Sequence, residues 1–331
     1  MHKHFLMPAI LAATLLAGPA LPKDATPWPK FYGQVGAYDV RTPDEIADMA
    51  HQGFHLALLS YGAAHKNLAG AIEANSIRYI DNFPSGEINR LCRKQYRAWG
   101  GCPQADVDTA LQNIKNHLRD TADDKAIIGY WILDDYPRAD VRPVLAQVHR
   151  LIADANRTAI FARPAICGFG GKMDVRMVKR GGALSSDTRP FVRAVTNFDP
   201  ASCDLVAVYP YATSDTSDSS SADWQMTSLL PAMLDALRAQ GWDPARQPMI
   251  GMPQTFGGAR SESPGLYYVV PRAADVAAQA EAYCRAGAVA LLAYTWHDNH
   301  GDELSELHNS PDLVSGLKQG AARCRDAYWN R

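Results

Sequence analysis

Residues 126–137 read AIIGYWILDDYP, and this stretch decides the fold. Ala126 to Leu133 is a run without a charged residue, and Asp134 and Asp135 follow it directly. Such a continuous apolar run is typical of a strand that is buried on both faces of a parallel sheet. Parallel strands need crossover connections, which are usually helices. The stretch therefore predicts an α/β protein with polar residues where its strands end.

Similar apolar runs lie on both sides of this stretch, with helical patterns between them. Val107, Ile114 and Leu118 fall on one helical face. Thr42 and Glu45 have the spacing of a capping box, with Pro43 at the first helical position. The predicted strands are 31–38, 54–59, 77–81, 126–133, 158–162, 204–209, 249–252 and 288–294.

Eight strands that alternate with helices favour a closed (β/α)8 TIM barrel over an open doubly wound sheet. The chain has no G-x-G-x-x-G or P-loop motif at the start of a helix, which argues against nucleotide-binding folds. A barrel takes about 250 residues, so the remainder is expected in long loops. The predicted long loops are 85–104, 167–201 and 213–224.

Composition and the first residues place limits on the class of protein. Of 331 residues, 47% are hydrophobic, and a formal charge of −2 gives no basic surface for nucleic acid. The apolar run 5–17 follows a short basic start and precedes Gly18-Pro19-Ala20, so we expect a signal peptide over 1–20. The run is shorter than the roughly 18 residues that span a membrane, which argues against a stable anchor. We expect an exported single barrel over 21–331, whose oligomeric state the sequence leaves unspecified.

The chain has six cysteines, an even number that in an oxidising compartment indicates disulfides. Pairing in chain order is the simplest of the 15 arrangements that six cysteines allow. A zinc site is the alternative, but the sequence has no C-x-x-C pair and no H-E-x-x-H motif. The predicted pairs are Cys92–Cys102, Cys167–Cys203 and Cys284–Cys324.

In a barrel of this type the active site lies at the carboxyl ends of the strands. Carboxylates, aromatic rings and amides follow most of the predicted strands. Carboxylates can serve as acid and base in the cleavage of a glycosidic bond, and aromatic faces give a sugar an apolar platform. The predicted substrate-binding residues are Asp81, Tyr61, Arg163, Tyr209, Tyr211, Gln254, Trp296 and His297.

A resemblance to a known group of barrels enters at strand four. Residues 129–137, GYWILDDYP, resemble the GYYLxDEP strand ending of glycoside-hydrolase-like TIM barrels. Tyr209-Pro210-Tyr211 and Tyr294-Thr295-Trp296 are similar to the ends of strands six and eight in those proteins. The resemblance implies a barrel that cleaves or binds sugars, and it assigns no substrate.

The resemblance places Asp135 at the position of the general-acid glutamate. Aspartate is shorter by one methylene, or about 1.5 Å of reach. At the end of strand seven, where a large retaining clan has its nucleophilic glutamate, this chain has Pro253-Gln254. Glutamine cannot act as a carboxylate nucleophile. The D-x-x-D-x-D-x-E motif of chitinase-like barrels is absent from the sequence too.

A second carboxylate would have to come from another strand. Asp39, Asp81 and Asp298 are the candidates, and we name Asp135, Asp298 and Asp39 as the predicted catalytic residues. Asp81 and Asp39 could instead only hold Arg163 or a loop by hydrogen bonding. Side chains alternate along a strand, so Asp134 and Asp135 should not both point inward. We expect Asp135 to point inward and Asp134 to be a structural partner.

Three functional hypotheses follow. The first is an exported glycoside hydrolase that acts on a polysaccharide or oligosaccharide without a cofactor. The second is a catalytically silent barrel that binds carbohydrate, which the missing carboxylate on strand seven favours. The third is a metal-dependent hydrolase that uses His297, Asp298 and His300. No recognisable spacing supplies a third ligand, so the sequence predicts no metal site.

Overall fold

The computed structural model describes most of the chain from residue 27 onward. The leader predicted over 1–20 lies outside the described residues. No helix in the described part is long and apolar enough to cross a membrane. The described ranges are 27–60, 65–96, 103–134, 142–170, 198–210, 225–260, 267–297 and 304–330.

Eight parallel strands form a closed barrel, which confirms the predicted (β/α)8 fold. Around the barrel the order is β1-β2-β3-β4-β5-β6-β7-β10, and β10 pairs with β1 to close it. A two-stranded antiparallel hairpin, β8–β9, lies between β7 and the next helix. The strands are β1 Gln34–Val40, β2 Leu56–Leu59, β3 Arg78–Asp81, β4 Ile127–Asp134, β5 Ala165–Gly170, β6 Leu205–Tyr209, β7 Met249–Gly251, β8 Ala259–Arg260, β9 Tyr267–Tyr268 and β10 Ala288–Ala293.

The helices connect the strands of the barrel along the chain. Two short π-helical segments, Gln225–Leu229 and Arg325–Trp329, adjoin the sixth and the last α-helix. The α-helices are α1 Pro43–His51, α2 His65–Ala74, α3 Phe83–Tyr96, α4 Gln104–Asp120, α5 Arg142–Asn156, α6 Leu230–Ala239, α7 Ala273–Arg285 and α8 Pro311–Cys324.

The predicted start of α1 is confirmed by the structure. Thr42 caps α1, since its hydroxyl accepts the amide of Glu45 at 3.2 Å and the Glu45 carboxylate accepts the amide of Thr42. Pro43 occupies the first turn, where a missing N–H costs no helical hydrogen bond. At α8, Ser310 is the N-cap residue and Pro311 is the first helical residue, but the Ser310 side chain makes no capping bond. Because α1 directly follows β1, its capping box lies at the carboxyl end of the barrel.

Two predicted boundaries are wrong. The fifth strand was expected over 158–162, and the structure places β5 at Ala165–Gly170. Residues 85–104 were expected to be a loop, and α3 occupies Phe83–Tyr96. The helix begins there because Asp81 Oδ1 accepts the amide of Phe83 at 2.9 Å, and Pro84 is tolerated in a first turn. The shift of β5 moves Arg163 from the end of a strand to the segment before one.

Two of the three predicted disulfides are confirmed. Cys167–Cys203 joins β5 to the segment before β6, and Cys284–Cys324 joins α7 to α8. The four cysteines are buried. The third predicted pair, Cys92–Cys102, involves side chains outside the described part of the chain. The second bridge holds the last helix against the helix that precedes the closing strand.

Candidate active site

Asp134, the last residue of β4, lies at the centre of the barrel mouth. Tyr209 donates its hydroxyl to Asp134 Oδ1 at 2.6 Å, and Tyr38 donates to Oδ2 at 3.3 Å. Tyr38 is on β1 and Tyr209 is near the end of β6, and neither strand neighbours β4. The three side chains can therefore meet only through the interior of the barrel.

A register irregularity explains why Asp134 faces inward. Trp131 faces the interior, where its ring lies 6.4 Å from that of Tyr38. Strict alternation from Trp131 would bring residue 135 to the same face. The pairing of β4 with β5 shifts between Trp131 and Leu133, which changes the phase of the alternation by one residue. Asp134, which the sequence placed in a supporting role, is thereby the carboxylate that the structure sets inside the mouth.

The surroundings of Asp134 raise the pKa of its carboxyl group. Burial is the largest cause, because a charged carboxylate loses hydration in the barrel. The hydrogen bonds from Tyr209 and Tyr38 act in the opposite direction, and the nearby charge of Asp39 raises the pKa further. The net shift is upward. A raised carboxyl pKa is what a general acid requires at neutral pH.

Asp39 lies beside this centre and is tied to a cation. It stands at the register shift between Tyr38 and Val40 where β1 pairs with β2, and its φ of 66° is left-handed. Aspartate tolerates this conformation better than most residues. Its buried carboxylate forms a two-point ion pair with Arg41, in which Nε lies 3.3 Å from Oδ1. The ion pair holds the Asp39 carboxylate in place near Asp134.

Aromatic rings form a continuous line across the mouth. The distance between ring centroids is 5.0 Å for Tyr38 and Tyr294, 5.3 Å for Tyr294 and Phe256, and 4.9 Å for Phe256 and Tyr268. Trp131 continues the line below Tyr38. Tyr38, Tyr294 and Tyr268 are partly exposed, whereas Trp131 is buried. The line therefore offers partly exposed aromatic surface next to the Asp134 carboxylate.

Three further predicted residues lie at the same end of the barrel. Gln254 follows β7 and forms an isolated β-bridge with Tyr294. This residue is fully buried, and its side-chain Nε2 donates to the Phe256 carbonyl at 3.0 Å. Trp296 is also fully buried, so it packs under the mouth and presents no exposed ring face. His297 is partly exposed, and its Nδ1 lies 2.8 Å from Glu45 Oε1. Of the three, only His297 reaches solvent.

Asp81 and Arg163, two predicted substrate-binding residues, do not join this group. Asp81 is fully buried and pairs with His117 of α4 at 2.5 Å, and its other oxygen caps α3. Arg163 lies before β5 and donates to the backbone carbonyls of Ala122 and Asp124 and to the Tyr130 hydroxyl. The contacts of both side chains hold helices and loops to the barrel.

The remaining predicted site residues lie outside the described residues. Among these are two of the three predicted catalytic carboxylates. Their assignment stays a prediction. They are Asp135, Asp298, Tyr61 and Tyr211.

Sequence reasoning missed a group of residues next to His297. Glu306 is buried, His308 is partly exposed, and their side chains approach that of His297 closely enough for the three to hold a metal ion. His308 also lines a groove of about 450 Å³ between α1 and α8, away from the aromatic line. The spacing of these residues matches no known motif. The sequence signal for them is that Glu306 and His308 follow His297 within a short stretch after the last strand.

Comparison with known proteins supports the fold. No protein-family model matches the chain, and no curated protein sequence matches it. Among solved structures, a β-glucuronidase from Ruminococcus gnavus is similar, with a TM-score of 0.53 and 8% identity over 88% of this chain and 50% of that one. A GH2 β-galacturonidase from Eisenbergiella tayi is similar with a TM-score of 0.50 and 10% identity, over 86% of this chain and 47% of that one.

This chain spans about half the length of the two glycosidases that it matches. At such low identity they show the fold alone. The molecule is a (β/α)8 barrel that is similar in fold to these glycosidases, and the resemblance stated for strand four is confirmed for the fold.

Proposed function

We propose that the protein is an exported glycoside hydrolase that cleaves a polysaccharide or oligosaccharide at the mouth of the barrel. The observation that carries this proposal is the inward-facing carboxyl group of Asp134, held by two tyrosines beside a line of aromatic rings. The two disulfides support export, because such bonds persist mainly in oxidising compartments.

Strand four supplies the acid in this proposal. Hydrolysis of a glycosidic bond needs a protonated carboxyl group at the leaving oxygen. Asp135 is the acid that the sequence resemblance implies, and Asp134 directly before it has the raised pKa of such a group. Asp39 and Asp298 are the proposed sources of the second carboxylate. Tyr38 and Tyr294 would stack against the sugar ring, and the Tyr38 hydroxyl donates to Asp134.

A glycan panel tests the proposal. The solved neighbours include a β-glucuronidase and a β-galacturonidase, so the panel should hold uronides beside neutral glycosides. Reducing ends are measured for the wild type, Asp134→Asn and Asp135→Asn. The matched control is Asp235→Asn, an exposed carboxylate on α6 paired only with Arg238 among the described residues.

The expected result is turnover of at least one glycan by the wild type and by the Asp235 variant. Loss of a general acid costs about 10²- to 10⁴-fold in rate, so a loss of this size in one strand-four variant identifies the acid. Full activity in both strand-four variants would refute this chemistry.

A catalytically silent carbohydrate-binding barrel is the second candidate. The observation that favours it is Gln254, whose buried amide stands after β7 and is engaged by the Phe256 carbonyl. Asp39 is in turn engaged in an ion pair with Arg41. Under this alternative the wild type binds a glycan in calorimetry without releasing reducing ends, and Asp135→Asn binds it with nearly the same affinity.

A further inference from the structure

We propose that His297, Glu306 and His308 form a binding site for a divalent transition-metal ion of the zinc class at the rim of the barrel. One ligand atom from each side chain lies within 4.8 Å of the other two. The site is separate from the Asp134 centre and does not depend on the proposed glycan chemistry. It brings together the extension of β10 and the segment that precedes α8.

The backbone holds these two segments side by side. The amide of Leu307 donates to the Thr295 carbonyl at 3.3 Å, and the amide of His308 donates to the Trp296 carbonyl at 3.2 Å. These bonds place His308 beside the residue preceding His297, and the two imidazole rings lie 4.2 Å apart. Main-chain hydrogen bonds therefore hold the segments that carry the two histidines side by side.

Asn309 fixes the third residue of the set. Its side-chain oxygen accepts the amide of Glu306 at 2.8 Å, and its side-chain nitrogen donates to the Leu304 carbonyl at 2.7 Å. These two bonds hold the turn that carries Glu306. Metal sites require supports of this kind, because ligands must be oriented before the ion arrives.

The hydrogen bonds of the two histidines select the ring form that binds metals. His308 Nδ1 lies 3.0 Å from the Trp296 carbonyl oxygen and 3.4 Å from Glu306 Oε2. The carbonyl oxygen can only accept, so this nitrogen carries the proton, and Glu306 has to leave it to share an ion with Nε2. His297 Nδ1 lies 2.8 Å from Glu45 Oε1, and the same reasoning applies when that carboxylate is ionised. In both rings Nε2 then keeps its lone pair. Imidazole ligands of metals commonly donate their other N–H to a carbonyl or carboxylate in this way.

The donor set indicates the class of ion. Two imidazoles and one carboxylate are a known ligand set of zinc, whereas calcium and magnesium prefer oxygen alone. With neutral imidazoles, Glu306 and Glu45 give the group a formal charge of −2, which a divalent cation balances. Bonds of about 2.1 Å at tetrahedral angles separate ligand atoms by about 3.4 Å, so ligand atoms that lie up to 4.8 Å apart must close by at most about 1.4 Å.

Calorimetric titration of the untagged, chelator-treated full chain with Zn²⁺ tests the site, and visible absorption of bound Co²⁺ gives a second readout. The wild type is expected to bind one ion per chain. His308→Ala and Glu306→Gln should each weaken binding by more than about tenfold, and Glu45→Gln, which acts through His297, by about tenfold. The control is His149→Ala, a partly exposed histidine on α5 that pairs with Asp204.

Circular dichroism establishes that each variant is folded. Glu306→Gln keeps the size of the side chain, so it tests the loss of a ligand without the loss of packing that His308→Ala brings. The proposal is overturned if the folded wild type fails to bind Zn²⁺ or Co²⁺, if it prefers Ca²⁺ or Mg²⁺, or if His308→Ala and Glu306→Gln bind as tightly as the wild type. None of these readouts requires a glycan, so failure of this site and failure of the proposed hydrolase are separate results.

Discussion

The hydroxyl of Tyr209 lies 2.6 Å from Oδ1 of Asp134, across the interior of the barrel from one strand end to another. With the longer bond from Tyr38, it fixes the direction of the only strand-four carboxylate within the described residues. The pKa of this carboxyl group is raised by burial and lowered by the two tyrosines. The protonation state of this one carboxyl group therefore contributes to the stability of the barrel mouth.

Asp134 should make the free energy of unfolding depend on pH. The folded pKa lies above the ordinary value of 3.8, so the folded state binds the proton more tightly than the unfolded state. The contribution of Asp134 to stability therefore falls as the pH rises from 3.8 through the folded pKa. Urea unfolding of the wild type and Asp134→Asn from about pH 3 to pH 8 measures this difference.

Tyr209→Phe provides the control for this titration. The variant removes a hydrogen bond that lowers the pKa of Asp134, so the fall in stability should extend to higher pH. A difference between the wild type and Asp134→Asn that is constant, or that grows in favour of the wild type as the pH rises, contradicts the prediction.

Folding should favour the charged form of His149, whereas it favours the neutral form of Asp134. Its pKa is raised chiefly by the hydrogen bond to Asp204, with burial acting against the shift. The stabilisation is complete below 6.5, the ordinary value, and is lost as the pH rises through the folded pKa. His149→Gln should remove this loss from the stability profile, while His51→Gln, at an exposed position on α1, should retain it. Identical profiles for the two variants would count against the assignment.

Gly36 on β1 should not tolerate a side chain. A Cβ at this position would lie 1.6 Å from the carbonyl oxygen of Leu56, which is backbone of the paired strand β2. Gly36→Ala is expected to destabilise the protein by more than about 4 kcal/mol or to prevent soluble expression. Gly70→Ala on α2 meets no atom within 4 Å and should be neutral or stabilise by up to about 1 kcal/mol. Soluble yield and Tm compare the two, and equal behaviour would contradict the close approach.

The Cys284–Cys324 bridge should contribute strongly to stability. It closes a segment with a sequence separation of 40, and disulfides stabilise chiefly by restricting the unfolded chain. Replacing both cysteines with serine should lower the free energy of unfolding by about 2–5 kcal/mol, measured by urea unfolding without reductant. The Cys167 and Cys203 double variant should show a loss in the same range, since its separation is 36. An unchanged urea midpoint in both variants is the contrary result.

The sequence predicts the barrel well because its strands are continuous apolar runs. It fails at β5, where Ala165–Gly170 contains two glycines and reads as a loop. Gly168 is needed because a Cβ there would lie 2.3 Å from the ring of Trp131, and that contact belongs to the tertiary structure. The sequence prediction also fails at α3, because Pro84 and Gly86 are typical of loops, whereas Asp81 caps a helix that begins at Phe83.

At the site, the sequence predicts chemistry at the end of strand four, and its resemblance to a known strand ending favours Asp135 as the inward carboxylate. The register shift between Trp131 and Leu133 brings Asp134 inward, and no pattern within the strand reveals it. Glu306 and His308 were missed for a related reason. Their contact with His297 depends on backbone pairing between two irregular segments, which local periodicity does not describe.

The closing pair of strands has a consequence for how the molecule is made. Tyr38 belongs to the first strand and Tyr294 directly follows the last, and the amide of Trp296 donates to the Tyr38 carbonyl at 2.8 Å. A ribosome therefore has to translate the chain beyond residue 294 before the mouth can assemble. Any product that terminates before residue 294 lacks one side of the aromatic line, so a shortened polypeptide carries strand four without the surface that surrounds it.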